Sequence, residues 1–120
     1  MDKYLYDLSN GRTYSGSLQL TQGDPSGTLV AAVAGKVIVP MWVVSSHVGD
    51  TDSLVVIIGE SGGPNVFIYK EDQVTVGSTF DLGCTQFGKL TVNTNLLASV
   101  TTLETGELLT VNIGYYLIDG

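Results

Sequence analysis

The residues from 109 to 118 show a period of two, with one parity apolar or aromatic throughout. Every second position is apolar or aromatic, as in Leu109, Val111, Ile113, Tyr115 and Leu117. The positions between them are Thr110, Asn112, Gly114, Tyr116 and Ile118. A period of two places the first set on one face of a β-strand, whereas helical spacing would scatter it. The sequence therefore predicts a strand here with one face in a hydrophobic core.

Short apolar runs recur along the chain, separated by turn residues. They lie at 28–33, 37–44, 54–58, 66–69, 79–82, 89–92, 98–103 and 108–118. The 120 residues include 15 Val, 6 Ile and 13 Thr but only 4 Ala, and β-branched side chains favour strands. Eight short strands at this spacing predict an all-β fold, an antiparallel β-sandwich of jelly-roll type.

Two of these runs predict how their strands are placed. The run 54–58 is apolar at both parities, so both faces should be covered, by the opposing sheet and either the N-terminal segment or a partner subunit. Pro40 interrupts the run 37–44 and has no N–H to donate to a neighbouring strand. We therefore expect an edge position or a β-bulge at Pro40.

The N-terminal segment is predicted to be distinct from the sandwich. Asn10-Gly11 suits a tight hairpin turn, and alternating apolar residues occur on both sides of it. The Gly- and Pro-containing stretch 23–27 then separates this segment from the runs that follow. The sequence predicts an N-terminal arm or hairpin at 1–26 and a sandwich domain at 27–120.

Charge and hydropathy exclude several partners. Five Lys and Arg stand against 12 Asp and Glu, and a net charge of -7 would repel a phosphate backbone, so we expect no nucleic-acid binding. No apolar stretch reaches the ~20 residues of a membrane span, and the N-terminus lacks the pattern of a signal peptide. The sequence predicts a soluble chain that is made in a cytoplasm and has no membrane contact. Its single Cys excludes an internal disulfide.

One motif resembles the sequence around the catalytic serine of a protease. The stretch 59–64, Gly-Glu-Ser-Gly-Gly-Pro, is similar to the Gly-Asp-Ser-Gly-Gly-Pro around the nucleophile of chymotrypsin-like proteases. A serine nucleophile needs a histidine base, and His47 is the only histidine, fourteen positions before Ser61 rather than far upstream. The chain is also too short for the two barrels of that family. We therefore predict a glycine-rich connection here and no enzymatic activity.

Metal and cofactor sites are equally poorly supported. Zinc would need several Cys, His or carboxylate ligands, and Cys84 has no second thiol at suitable spacing. Asp50, Asp52 and Glu60 lack the spacing of a calcium loop. The sequence predicts no metal and no cofactor.

Aromatic and apolar side chains that could lie at the surface are the better candidates for function. Tyrosine and tryptophan bury a large ring while keeping a polar group, which is typical of interfaces. The candidate partner-binding residues are Tyr4, Leu5, Tyr6, Leu8, Tyr14 and Trp42. The alternative for each is that it packs into the local core.

Four stretches of the chain resemble a known family. They are 31–39 (Ala-Ala-Val-Ala-Gly-Lys-Val-Ile-Val), 43–46 (Val-Val-Ser-Ser), 103–112 (Leu-Glu-Thr-Gly-Glu-Leu-Leu-Thr-Val-Asn) and 114–117 (Gly-Tyr-Tyr-Leu). Together they resemble small β-sandwich proteins of tailed-phage virions. That resemblance implies a jelly-roll sandwich, commonly trimeric, used as a head decoration (cement) protein or as a module of tail fibres and baseplates.

The resemblance implies a structural role. The expected function is a cement protein that binds the outer surface of the phage head and bridges neighbouring capsomers, with the major capsid protein and sister subunits of a homotrimer as partners. The alternative is a tail-fibre or baseplate module, or a carbohydrate- or receptor-binding sandwich. A small domain with an arm, ending at Gly120 directly after its last strand, favours the first role, and Trp42 inside a strand is unlike a sugar-binding loop.

Overall fold

The computed structural model of the chain describes residues 11–49, 54–62, 66–70, 79–80, 91–101 and 103–120. These residues form eight β-strands. The strands are β1 (Tyr14–Thr21), β2 (Ser26–Val30), β3 (Lys36–Val48), β4 (Val55–Glu60), β5 (Val66–Lys70), β6 (Thr79–Phe80), β7 (Leu96–Thr101) and β8 (Leu108–Asp119). Over the same residues, no helix is long and apolar enough to cross a membrane.

The strands form two four-stranded sheets that pack face to face. The first sheet has the order β1-β8-β3-β6 and the second β2-β7-β4-β5, and every strand pair is antiparallel. The pairs β1–β8, β2–β7, β3–β6 and β4–β5 are nested, as in an eight-stranded ribbon folded over on itself. This is the connectivity of a jelly roll, and it confirms the predicted all-β sandwich.

The hydrophobic core lies between the sheets and contains the predicted face of the last strand. Leu109, Val111 and Ile113 of β8 are fully buried, and Tyr115 and Leu117 pack at the margin of the same cluster. The second sheet contributes Val56, Ile58, Ala98 and Val100, among others. A smaller cluster of Val37, Val39 and Tyr116 lies at the opposite parity of β3 and β8, on the other face of the first sheet.

A β-bulge at Pro40 reverses the parity of β3. The register with β8 shifts between Pro40 and Trp42, which confirms the predicted irregularity. Before the bulge Ile38 faces the core, and after it Val43, Ser45 and His47 are the buried positions. Pro40 itself pairs with Tyr115, and Met41 is the extra residue that has no partner in β8.

The structure differs from the predicted N-terminal arm or hairpin over residues 14–21. These residues form β1, which pairs with β8 from Tyr14 to Thr21 without a register shift. Leu20 is buried in the core and Leu18 packs against it, so the apolar alternation of this segment serves the sandwich itself. Residues 1–10 lie outside the described residues.

A second difference concerns the predicted run at 89–92. Residues 91–95 form a loop with a turn at Val92 and Asn93, and Asn93 has a left-handed backbone with φ of 57°. Its side-chain Oδ1 accepts a hydrogen bond from the N–H of Gly35 at 2.6 Å. Residues 89 and 90 are outside the described part of the chain. The turn requires a left-handed residue, which asparagine tolerates better than most residues do, and the apolar pattern of the run contains no information about this conformation.

Candidate interaction surfaces

The predicted binding residue Tyr14 forms an aromatic stack at the start of β1. Its ring lies 5.6 Å from that of its strand partner Tyr115, with an interplanar angle of 22°. Tyr14 is 38% exposed, while Tyr115 packs against the core. Burial, and then the neighbouring Tyr14, raise the pKa of Tyr115 above its ordinary value. The ring of Tyr14 is therefore open to solvent on one side and stacks on the partly buried ring of Tyr115 on the other.

Trp42 lies on the other face of the same sheet. It pairs with Gly114, and a Cβ built at Gly114 would overlap the indole ring of Trp42. Trp42 is half-buried. The row Ser15–Gly114–Trp42 is next to the row Tyr14–Tyr115–Pro40, so the two aromatic features share one end of the sheet but not one face. The remaining candidates, Tyr4, Leu5, Tyr6 and Leu8, are outside the described residues.

A third surface is the edge of β1 that faces away from β8, a row of main-chain groups that no other described strand pairs with. β1 stands at the end of its sheet and pairs with β8 alone among the described strands. Ser15, Ser17 and Gln19 are exposed along it. At the end of β1, the Thr21 N–H donates to the carbonyl of Asp24 at 3.0 Å, so a tight turn closes the edge at that point.

The outer face of the second sheet has a shallow cavity of about 320 Å³. Ile57, Gly59 and Leu97 line its apolar part, and residues with hydroxyl groups, Ser26, Thr28 and Ser99, also line it. Leu54, just before β4, and Val56 and Ile58 of β4 are buried in the core. Val55 and Ile57 are half-buried on the outside. The prediction that 54–58 is covered on both faces is thus met by the opposing sheet on one face, and the other face remains partly open.

The only histidine is a core residue. His47 is 1% exposed, and its Nε2 lies 3.4 Å from Oε2 of the buried Glu107. Among the described residues, neither ring nitrogen has a hydrogen-bond partner. Glu107 Oε1 accepts a hydrogen bond from the Glu104 N–H at 2.8 Å, and a Cβ at Gly49 would overlap the Glu107 side chain. Through these contacts Glu107 holds the turn before β8 against the end of β3, so the role of His47 and Glu107 is structural.

The protease-like motif has no histidine beside its serine. Ser61 is exposed in the turn after β4, and its N–H donates to the carbonyl of Asn95 at 2.9 Å. Glu60 pairs with Leu96 at one end of the sandwich, whereas His47 pairs with Leu109 toward the other end. The topology therefore separates Ser61 from His47, and these two residues do not form a nucleophile and base.

Metal-ligand types do not converge within the ranges that the structure describes. No group of three or more His, Cys, Asp or Glu side chains is found there. Glu60 is buried, and its carboxylate accepts a hydrogen bond from the Thr91 N–H at 2.9 Å. Asp50, Asp52 and Cys84, which the sequence analysis considered as ligands, lie outside the described residues.

Sequence reasoning missed the edge of β1 and the partner of Tyr14. A signal for the edge was present, since residues 14–21 contain neither charge nor proline. The stack depends on the register of β1 with β8, which no local pattern reveals because the two strands are about ninety positions apart in the chain.

Comparisons with known proteins and solved structures show which chains resemble this one. No protein-family model matches the chain, and no curated protein does. A chain in the acidic stable capsid structure of Helicobacter pylori bacteriophage KHP30 is 16% identical, with a TM-score of 0.59 over 90% of this chain and 92% of that one. A chain in the capsid asymmetric unit of cyanophage Pam1 is 14% identical, with a TM-score of 0.47 over 88% of this chain and 83% of that one. The protein thus has the β-sandwich fold of a chain found in a phage capsid structure.

Proposed function

We propose that this protein is a structural protein of a phage virion, and specifically a cement protein that binds the outer surface of the head and bridges neighbouring capsomers. The observation that supports this most is the fold shared with the KHP30 capsid chain over nine-tenths of both chains. The character of the surfaces agrees with such a role: an exposed aromatic stack, an open strand edge and a partly apolar outer face are features suited to protein partners.

The N-terminal residues are the proposed attachment to the major capsid protein. Tyr4, Leu5, Tyr6 and Leu8 supply apolar side chains ahead of the sandwich, and burying each is worth about 1.5–3 kcal/mol before ordering costs. That gain would recur at every symmetry-related copy on a capsid. Because β1 begins at Tyr14, residues 2–12 can be removed without shortening any of the eight described strands.

A deletion tests this attachment. Heads lacking the protein are incubated with the full chain, with a chain lacking residues 2–12, and with a Tyr4→Ser/Tyr6→Ser variant as a full-length comparison, and head-bound protein is measured after sedimentation. We expect stoichiometric binding of the full chain and at least a tenfold loss for the other two. Their melting temperatures should match that of the full chain, so that the loss reflects binding. Normal binding by the deletion variant would refute the role of the arm, and failure of the full chain to bind any head would refute the cement function.

The proposed oligomer is a homotrimer that uses the outer face of the second sheet. Val55 and Ile57 are half-buried there in the single chain, and apolar surface of this kind is commonly covered by another subunit. Light scattering should give a mass near three times 12.7 kDa. Ile57→Glu should reduce it, and Ala34→Glu, at an exposed position in the turn before β3, is the control. A wild-type protein that stays monomeric at high concentration would contradict the trimer without excluding capsid binding.

A further inference from the structure

The edge of β1 has the properties of a strand that pairs with another strand. Natural edge strands usually avoid such pairing through charged residues, proline, bulges or very short length. β1 has eight residues, none of them charged or proline, and its register with β8 is continuous. It therefore lacks all of these protections.

The direction of its main-chain groups follows from the turn at its end. In an antiparallel pair, the N–H and C=O groups of successive residues point alternately toward the partner strand and away from it. The Thr21 N–H points away from β8, to Asp24. Ser15, Ser17 and Gln19 share its parity, so their main-chain groups also point outward, and no described main-chain group bonds to them there.

We propose that β1 of one copy pairs antiparallel with β1 of a second copy, about a twofold axis centred on Ser17. The turn at Asp24 closes the edge at Thr21, which leaves Ser15, Ser17 and Gln19 as the available positions. The register that uses all three sets Ser17 against Ser17, and Ser15 against Gln19 of the second copy. Each of these pairs exchanges both main-chain hydrogen bonds.

Charge selects a second copy in this orientation. The chain carries a net charge of -7, yet β1 itself is uncharged, so two copies meet here without local repulsion. Exposed Arg12 precedes β1 and exposed Asp24 follows it. Antiparallel pairing brings the Arg12 end of one strand toward the Asp24 turn of the other, whereas parallel pairing would bring like charges together. The contact is twofold and uses a different surface from the proposed trimer face, so both can exist in one assembly.

Cysteine cross-linking tests the register directly. Residues that face each other in a hydrogen-bonded pair have Cα atoms about 5.5 Å apart, within the disulfide range of about 4.4–6.8 Å. In a Cys84→Ser background, Ser17→Cys should form a disulfide-linked dimer under mild oxidation. Ser15→Cys and Gln19→Cys, which are also exposed on the same strand, should cross-link at least tenfold less. The Ser15→Cys/Gln19→Cys double variant should cross-link again.

Any other pattern of cross-linking among these cysteine variants would overturn the proposal. Cross-linking of Gln19→Cys alone indicates another register, equal yields for all variants indicate random collision, and no cross-linking indicates an unpaired edge. If Ser17→Cys cross-links only after residues 2–10 are deleted, the chain's own N-terminal segment occupies the edge. Because no capsid is present, these results are independent of the proposed cement function.

A proline variant tests the hydrogen bonds. The Ser17 N–H points away from β8, so Ser17→Pro removes an outward donor without removing a bond to β8, and Ser17→Ala keeps that donor. In sedimentation experiments Ser17→Pro should lower the mass of the assembly by at least half, and Ser17→Ala should not. Arg12→Glu should weaken association, and the charge exchange Arg12→Glu/Asp24→Arg should restore it. Equal masses for wild type and a folded Ser17→Pro variant would exclude the contact, and if that variant does not fold, the cross-linking result decides.

Discussion

Replacing Gly114 by Ala measures how closely Trp42 is held on the first sheet. Gly114 pairs with Trp42, and an added Cβ would overlap the indole and lie 2.8 Å from its Cζ2. Gly114 is not among the residues with positive φ, so alanine fits the backbone itself. The cost must therefore come from the ring, which has to move or force the two strands apart.

The expected magnitude combines two opposing effects. Overpacking of this kind costs about 1–3 kcal/mol. Replacing glycine in an allowed conformation returns about 0.4–1 kcal/mol by restricting the unfolded chain. The net loss should be about 1–2 kcal/mol, which lowers Tm by roughly 4–8 °C for a chain of this size.

A double-mutant cycle with Trp42→Ala separates these effects. Without the indole, Gly114→Ala should be neutral or slightly stabilising, so the coupling between the two positions should be about 1–3 kcal/mol. Urea denaturation followed by circular dichroism gives the free energies, and fluorescence of the single tryptophan reports displacement of its ring in Gly114→Ala. Gly27→Ala is the matched control, because its Cβ would meet the flexible Leu18 side chain at an ordinary 3.4 Å. Equal costs of Gly114→Ala in both backgrounds, within about 0.5 kcal/mol, would refute the proposed contact.

Three further changes have defined outcomes. Leu109→Ala should remove about 2–5 kcal/mol of stability in urea denaturation, because Leu109 is fully buried; a loss below 1 kcal/mol would contradict that. Asn93→Ala should reduce the free energy of unfolding by about 1–3 kcal/mol in thermal denaturation, because alanine is strained in the left-handed conformation and the hydrogen bond from the Gly35 N–H is lost. Asn93→Gly should reduce it less, because glycine adopts that conformation freely and only the hydrogen bond is lost. Burial raises the pKa of Tyr115, so its ionisation opposes folding: the associated stability is complete below the unfolded-state value of about 10 and is lost as pH rises above it. Melting temperatures between pH 8 and 11.5 should therefore fall more for wild type than for Tyr115→Phe, and parallel curves would contradict the assignment.

Local patterns in the sequence determined the fold class and several of its details. The two-residue period at 109–117 identified the core face of β8, because strand geometry alone decides which side chains share a face. Pro40 predicted an edge position or a bulge in β3, because proline has no N–H to donate to a neighbouring strand, and the register shift beside it is the bulge. The absence of a second histidine argued against serine catalysis, since that chemistry needs a base beside the nucleophile.

Only the tertiary structure decided which segments meet. Whether residues 14–21 form an arm or a strand depends on pairing with β8, some ninety positions away, and the same apolar alternation suits both. The location of His47 depends on the bulge at Pro40, because a shift of one residue moves every later side chain of β3 to the opposite face. The same holds for the interaction surfaces. The stack of Tyr14 on Tyr115, the indole over Gly114 and the free edge of β1 arise from register and strand order, which are properties of the assembled sheets rather than of any one stretch of sequence.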